Sequence, residues 1–171
     1  VAVAGAATIW LLREREGWFA YAATLGILLA TAGFVVYPRI DADRSGRAFM
    51  ARVEEASAGI AELGLVGAKE QYLLQLRRPS TNFGHARWRD DAAEAADASA
   101  WVVARPGRAL LVNRTALEAC FKGASAVDLG RENRKHWFLV TGGADPDCVE
   151  RGDPSRARLY LPPNASLNTD G

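Results

Sequence analysis

The sequence predicts an α/β fold: a C-terminal soluble domain with a five- or six-stranded mixed sheet and flanking helices, preceded by one transmembrane helix and the remnant of another. Three observations predict it. Trp18 to Tyr37 is a run of twenty residues without a charge, which as a helix at 1.5 Å per residue spans about 30 Å, the thickness of a bilayer's hydrocarbon core. All but four of the forty-one charged residues lie beyond Pro38, so the water-soluble part follows that run. Within that part, apolar periodicity alternates between helical and strand spacing, and helices between strands make an α/β layer fold.

The N-terminal segments come first. Residues 17–37 are the expected membrane helix: Trp18 and Tyr37 sit where aromatic belts lie, Arg15 and Arg39 stand just outside, and Pro38 is expected to stop the helix. A cleaved signal would have a shorter apolar core, a basic start and a small-residue cleavage site. A buried core helix rarely stays uncharged for so long. Residues 1–12 form another uncharged stretch, too short to span alone, and the chain begins with Val. The expectation is that the chain is the tail of a larger multi-spanning protein, cut in its penultimate helix and joined to the last by Arg13-Glu14-Arg15-Glu16. Residues 38–163 are then one domain of ordinary size, and 164–171 a frayed tail.

In the soluble part, Phe49, Val53 and Ile60 recur at helical spacing and predict a first helix over Ser45 to Ile60, capped by Ser45 or Asp43. A strand is expected at Leu63 to Val66. Lys69 to Arg77 places Tyr72, Leu73 and Leu76 on one face of a short helix ended by Pro79. The Ala-rich piece Asp90 to Ala100 carries four carboxylates and reads as a solvated helix or loop. Trp101 to Ala104 and Ala109 to Val112 read as strands, and as a hairpin across Arg105-Pro106-Gly107-Arg108. Thr115 with Glu118 three residues on suggests a capped helix through Leu117 and Phe121 to Gly123. Trp137 to Val140 and Ala157 to Leu161 supply the remaining strands. Gly142-Gly143 before Asp145-Pro146-Asp147 reads as a turn.

Charge and motifs narrow the function. A net charge of +1 gives no footing for nucleic acid as a partner. The chain lacks Gly-x-Ser-x-Gly and a Gly-rich phosphate loop, and its two histidines stand fifty-one residues apart, so no metal pattern is legible. Orientation is pulled two ways. Arg13 and Arg15 on one side of the apolar run face Arg39, Arg44, Arg47 and Arg52 on the other, which by count alone puts the domain in the cytoplasm; long domains, however, translocate largely regardless of charge. Cys120 and Cys148 point outward, because a lone cysteine pair in an extracytoplasmic domain often forms a bridge. Two buried thiols fit the sequence equally well.

One stretch carries more than its physics. Leu63-Gly64-Leu65-Val66-Gly67-Ala68-Lys69-Glu70-Gln71-Tyr72-Leu73-Leu74, followed by Arg78-Pro79, Asn82-Phe83-Gly84-His85 and Arg87-Trp88, resembles the post-membrane domain of bacterial C-type glycosyltransferases, the dolichyl-phosphate-mannose protein mannosyltransferase-like and lipid A aminoarabinose transferase-like enzymes. The likeness runs more loosely over Ala100-Trp101, Cys120-Phe121 and Asn133-Arg134 to Trp137, and so covers most of the soluble domain. It implies a polytopic enzyme of the bacterial inner membrane that takes a sugar from a polyprenyl-phosphate donor and passes it to a lipid or protein acceptor at the periplasmic face. The family's catalytic carboxylate lies in a loop near the N-terminus of the full protein, so the resemblance assigns no catalytic residue here. It implies no cofactor in this chain and leaves a divalent metal in the membrane half open. The bilayer, the lipid-linked sugar and the acceptor are the implied partners, and the Asn164-Ala165-Ser166 sequon carries no weight in a bacterial protein. The C-terminal domain caps the membrane cavity in such enzymes, which suggests a structural, acceptor-guiding or regulatory role.

The candidate binding residues are Lys69, Gln71, Asn82, His85, Arg87 and Trp88. Lys69 and Gln71 begin a helix just after a strand, the edge where α/β folds place ligand groups. A polar cluster at a helix start, with Glu70 favoured by the dipole, explains them as well. Asn82, His85, Arg87 and Trp88 lie on a glycine-containing loop, where polar and aromatic groups can stack on a sugar or simply anchor the loop. Trp137 reads as core. Beside the transferase stand two other classes: a non-catalytic periplasmic binding or scaffold domain on a membrane anchor, and a tethered soluble hydrolase, against which the missing nucleophile-base motif counts.

Overall fold

The structure, a computed structural model, describes residues 17–39, 46–84 and 90–162, together with Val3, Ala6, Ala7 and Trp10, which are helical. The rest of segment 1–12, the loop Arg13 to Glu16, the proposed caps Asp43 and Ser45, the loop residues His85, Arg87 and Trp88, and the tail 164–171 lie outside the described residues. The chain divides into two compact units, 1–44 and 45–171.

In the first unit, helix α1 (Gly17–Thr31) continues through a π-helical turn, Ala32–Val36, to residue 39. Pro38 thus lies in the last turn rather than ending the helix before it, and just ahead of it the Tyr37 N–H reaches back five residues to Ala32 O. Tyr21–Arg39 has a mean hydropathy of 1.5 and none of it is buried in protein, so by length and composition it is apolar enough to cross a membrane.

The second unit is a three-layer α/β domain. Its elements are α2 (Arg47–Ala56), β1 (Glu62–Leu65), α3 (Glu70–Leu73), β2 (Ser80–Asn82), α4 (Asp91–Val103), β3 (Arg108–Asn113), α5 (Arg114–Cys120), β4 (Ser125–Glu132), β5 (Lys135–Thr141), α6 (Pro146–Arg151) and β6 (Arg158–Tyr160). The six strands are ordered β4-β5-β3-β1-β2-β6. β1 pairs in parallel with β2 and β3, whereas β5, β4 and β6 attach antiparallel. The sheet is mixed because each central parallel pair needs a helical crossover, while β4 and β5 are consecutive and close as a hairpin.

Side chains alternate across β3 with period two, and that alternation builds two cores. Ala109 and Leu111 face α2 and α3, where Phe49, Val53, Leu63, Tyr72, Trp137 and Leu139 join them. Phe49, Tyr72 and Trp137 form an aromatic triangle with ring centroids 5.6–5.8 Å apart. Leu110 and Val112 face the other way, against Phe83, Ala98, Trp101, Phe121 and Val140 under α4, α5 and α6.

Several sequence expectations are corrected here. Trp101 to Ala104 is no strand and makes no hairpin with β3; it is the C-terminal turn of α4, ending at Val103 with Ala104 as C-cap. The Ala-rich stretch is not solvated: Glu94, Ala95, Asp97, Ala98, Ser99 and Ala100 are buried, since small side chains let α4 lie close on the sheet. α2 begins after Gly46 and stops at Ala56, so Ile60 packs from the following turn. The helix expected over Lys69 to Arg77 is one turn, Glu70–Leu73. Asn113, rather than Thr115, caps α5, its side chain accepting the Ala116 N–H at 3.1 Å. Asp145-Pro146-Asp147 opens α6, with Asp145 as N-cap. Strands β2 and β4 have no counterpart among the expected elements.

Candidate functional site

Open α/β sheets place ligands at the carboxyl ends of their parallel strands, where successive connections run to opposite sides. Here β1 leads outward to β2, and α4 returns the chain past β1 to β3, so that point lies between β1 and β3. The residues there are Gly67 after β1, Asn113 at the end of β3, and Asp91 and Glu94 in the first turn of α4.

Gly67 turns the chain with φ +64, and a Cβ on it would stand 2.6 Å from Asp91 Oδ1 and 2.7 Å from Asn113 Nδ2. Only glycine fits both the conformation and the space. Its N–H donates to Glu94 Oε2 at 2.6 Å. Asp91 Oδ2 accepts from Asn113 Nδ2 and from Lys135 Nζ, each at 2.8 Å. Asp91 Oδ1 is buried without a hydrogen-bond partner among the described residues. Asn113 is committed at both ends, to the α5 cap and to Asp91, which fixes its amide orientation.

The two carboxyls in the first turn of α4 stand in different surroundings. Glu94 is only 4% exposed. Burial pushes its carboxyl up to about 7, with the nearby Asp91 charge adding to the rise and the Gly67 N–H and Lys135 opposing it. Asp91 keeps Lys135 as its counter-ion. Two carboxyls in contrasting environments are the chemistry of an acid and base pair, yet both are spoken for by the backbone turn and the strand end. What the arrangement does is lock the start of α4 to the β1 and β3 ends.

Beside this lock is a depression of about 40 Å³ lined by Leu65, Glu70, Asn82, Phe83 and Glu94. Sites for small molecules run to roughly 300 Å³ and more, so the described walls enclose room for water rather than for a sugar ring. Of the described candidate residues, Asn82 alone lines it. Lys69 is exposed and precedes α3 in extended backbone, its side chain making no cap. Gln71 is half-buried on α3, away from the depression's lining. Among the described residues, no three His, Cys, Asp or Glu side chains are grouped as metal ligands.

Cys120, at the end of α5, and Cys148, on α6, form a disulfide with Cα atoms 5.7 Å apart. Sequence reasoning passed over Glu94, Asp91, Asn113 and Lys135. The legible signal was Asp90, which caps α4 by accepting the Ala93 N–H and thereby puts Asp91 and Glu94 in its first turn. The chain matches no protein-family profile, no curated protein and no solved structure.

Proposed function

We propose that this chain is the C-terminal, extracytoplasmic part of an integral-membrane glycosyltransferase of the bacterial inner membrane, which transfers a sugar from a polyprenyl-phosphate donor to a lipid or protein acceptor. The observation that carries the reading is that, among the described residues, the main stretch of the resemblance lies together in the middle of the sheet. Leu63 to Leu74 make the body of β1, the Gly67 turn and α3, and Asn82 ends β2 beside them, with Phe83 following it. Gly64 pairs with β2 and β3 in the sheet's centre, where a Cβ would meet Leu110 at 2.6 Å and Phe83 at 3.0 Å. An apolar helix of spanning length and a disulfide, which persists in oxidising compartments, support a periplasmic domain on a membrane anchor.

In this reading the chemistry belongs to a membrane half outside the chain, and the domain positions donor or acceptor. Glycosyl transfer from a polyprenyl-phosphate sugar is measured for the full-length parent in detergent, for its Lys69→Ala, His85→Ala and Arg87→Ala variants, and for this chain alone. Positioning losses are graded, on the order of 100-fold at most, whereas the isolated chain is expected to be inert. Turnover by the chain alone, or a parent without transfer activity, overturns the reading. The narrowness of the depression beside Asn82 favours the second reading, a non-catalytic binding or scaffold domain, which a parent without transfer activity would select; three variants at wild-type rates would leave these residues a purely structural role.

A further inference from the structure

The turn end of the β4–β5 hairpin and the start of α5 border a cleft of about 360 Å³, within the range of small-molecule sites. Its lining includes Arg114, Arg131, Arg134, Lys135 and His136, with Thr115 and Asn113, and among the described residues no carboxylate. Five basic side chains therefore converge from three elements in a protein whose net charge is only +1.

Their neutralisation is uneven. Lys135 is paired with Asp91 at 2.8 Å, and His136 Nε2 lies 2.7 Å from Asp128. Among the described residues Arg131 and Arg134 make no ion pair with a carboxylate, while Arg114 acts on Asp128 only at longer range: after the hydrogen bond with His136, its charge helps to hold that carboxyl below the usual value. Arg114 Nη2 lies 3.5 Å from His136 Nδ1, and its guanidinium stands 5.9 Å from the Phe138 ring, on which His136 is stacked. Arg134 occupies the hairpin turn with φ 66, next to Asn133 with φ 49. Asn-Gly is the favoured pair for a two-residue turn of this kind, so arginine holds the second place against backbone preference.

The geometry points to this cleft as a binding site for a phosphate or diphosphate ester, gripped by Arg114, Arg131 and Arg134 with the Thr115 hydroxyl alongside. Guanidinium groups are planar forks that match phosphate oxygens two at a time, and Arg131 and Arg134, with no ion-paired carboxylate among the described residues, have their charge left for a ligand, with Arg114 beside them. The inference needs only the cleft and does not depend on the transferase reading.

Arginine-specific labelling with phenylglyoxal, mapped by mass spectrometry on the full chain in dodecyl maltoside micelles, tests it. One arm adds inorganic pyrophosphate, the other dodecyl monophosphate doped into the micelle. Labelling of Arg131 and Arg134 is expected to fall severalfold while that of exposed Arg77 stays unchanged. Protection by pyrophosphate identifies a soluble phosphate ester as the source, and protection by dodecyl monophosphate alone identifies a lipid headgroup. Calorimetric affinity for the protecting probe is expected to drop about tenfold or more in Arg131→Ala/Arg134→Ala, with partial recovery in Arg131→Lys/Arg134→Lys, which keeps charge but loses the fork. Undiminished labelling with both probes, or protection equal at Arg77, overturns the proposal.

Discussion

Replacing Glu94 by Gln isolates the buried carboxyl at the carboxyl edge of the sheet. Glu94 is raised from an ordinary 4.5 to about 7, first by burial. In the unfolded chain it loses its proton near 4.5, so between about pH 4.5 and 7 the folded state holds a proton that the unfolded state has released. Stability therefore falls as pH rises through that window, by about 1.4 kcal/mol per pH unit, and the loss totals about 3 kcal/mol above pH 7. A glutamine at 94 stays neutral throughout, and its amide oxygen can still accept the Gly67 N–H. Its new N–H₂ lowers stability by about 1–3 kcal/mol if it finds no acceptor, but equally at every pH. The telling quantity is thus the difference between the two profiles, in which contributions from other titrating groups cancel. Urea unfolding of the full chain in dodecyl maltoside, followed by fluorescence of the buried Trp101 and Trp137, measures it. The two profiles should run parallel above pH 7 and separate from pH 7 down to 4.5, wild type gaining about 3 kcal/mol on Glu94→Gln over that interval; parallel profiles from pH 4.5 to 8 would refute a buried, proton-holding Glu94.

Two further outcomes are expected. Gly67→Ala should destabilise by about 2 kcal/mol or more in the same assay, because the new methyl meets Asp91 and Asn113 at φ +64, and an unchanged urea midpoint would remove the lock from the Gly67 turn. Reducing Cys120–Cys148, which are separated by 28 positions, should lower stability by about 3.5 kcal/mol, and coincident unfolding curves with and without reductant would show that the bridge contributes nothing.

What the sequence disclosed tracks how strongly each segment's pattern depends on its own residues. β1, β3 and β5 were legible because Leu63, Leu65, Leu110, Leu111, Leu139 and Val140 are a continuous apolar signal for strands buried on both faces. The same logic misread α4: Trp101-Val102-Val103 looks like a strand, and the carboxylates at 94 and 97 look solvated. Tertiary context reverses both, since Glu94 receives the Gly67 N–H and Asp97 the Asp153 N–H, partners 27 and 56 positions away. β4 escaped notice because only Leu129 of its eight residues is buried, so no alternation marks it. Trp137, expected in the core, is 1% exposed. At the site, Asn82 reaches the carboxyl edge, but Asp91, Asn113 and Lys135 meet only through the sheet's order, which no local spacing encodes.

The disulfide has a consequence for how the molecule is threaded. Cys120 and Cys148 bracket Ser125–Thr141, so the whole β4–β5 hairpin, with four of the five basic residues of the cleft, belongs to a closed covalent ring. Severing the backbone anywhere in that ring leaves one molecule rather than two. The exposed arginines at the hairpin tip, Arg131 and Arg134, can therefore face solvent without making the chain's continuity depend on the peptide bonds that carry them.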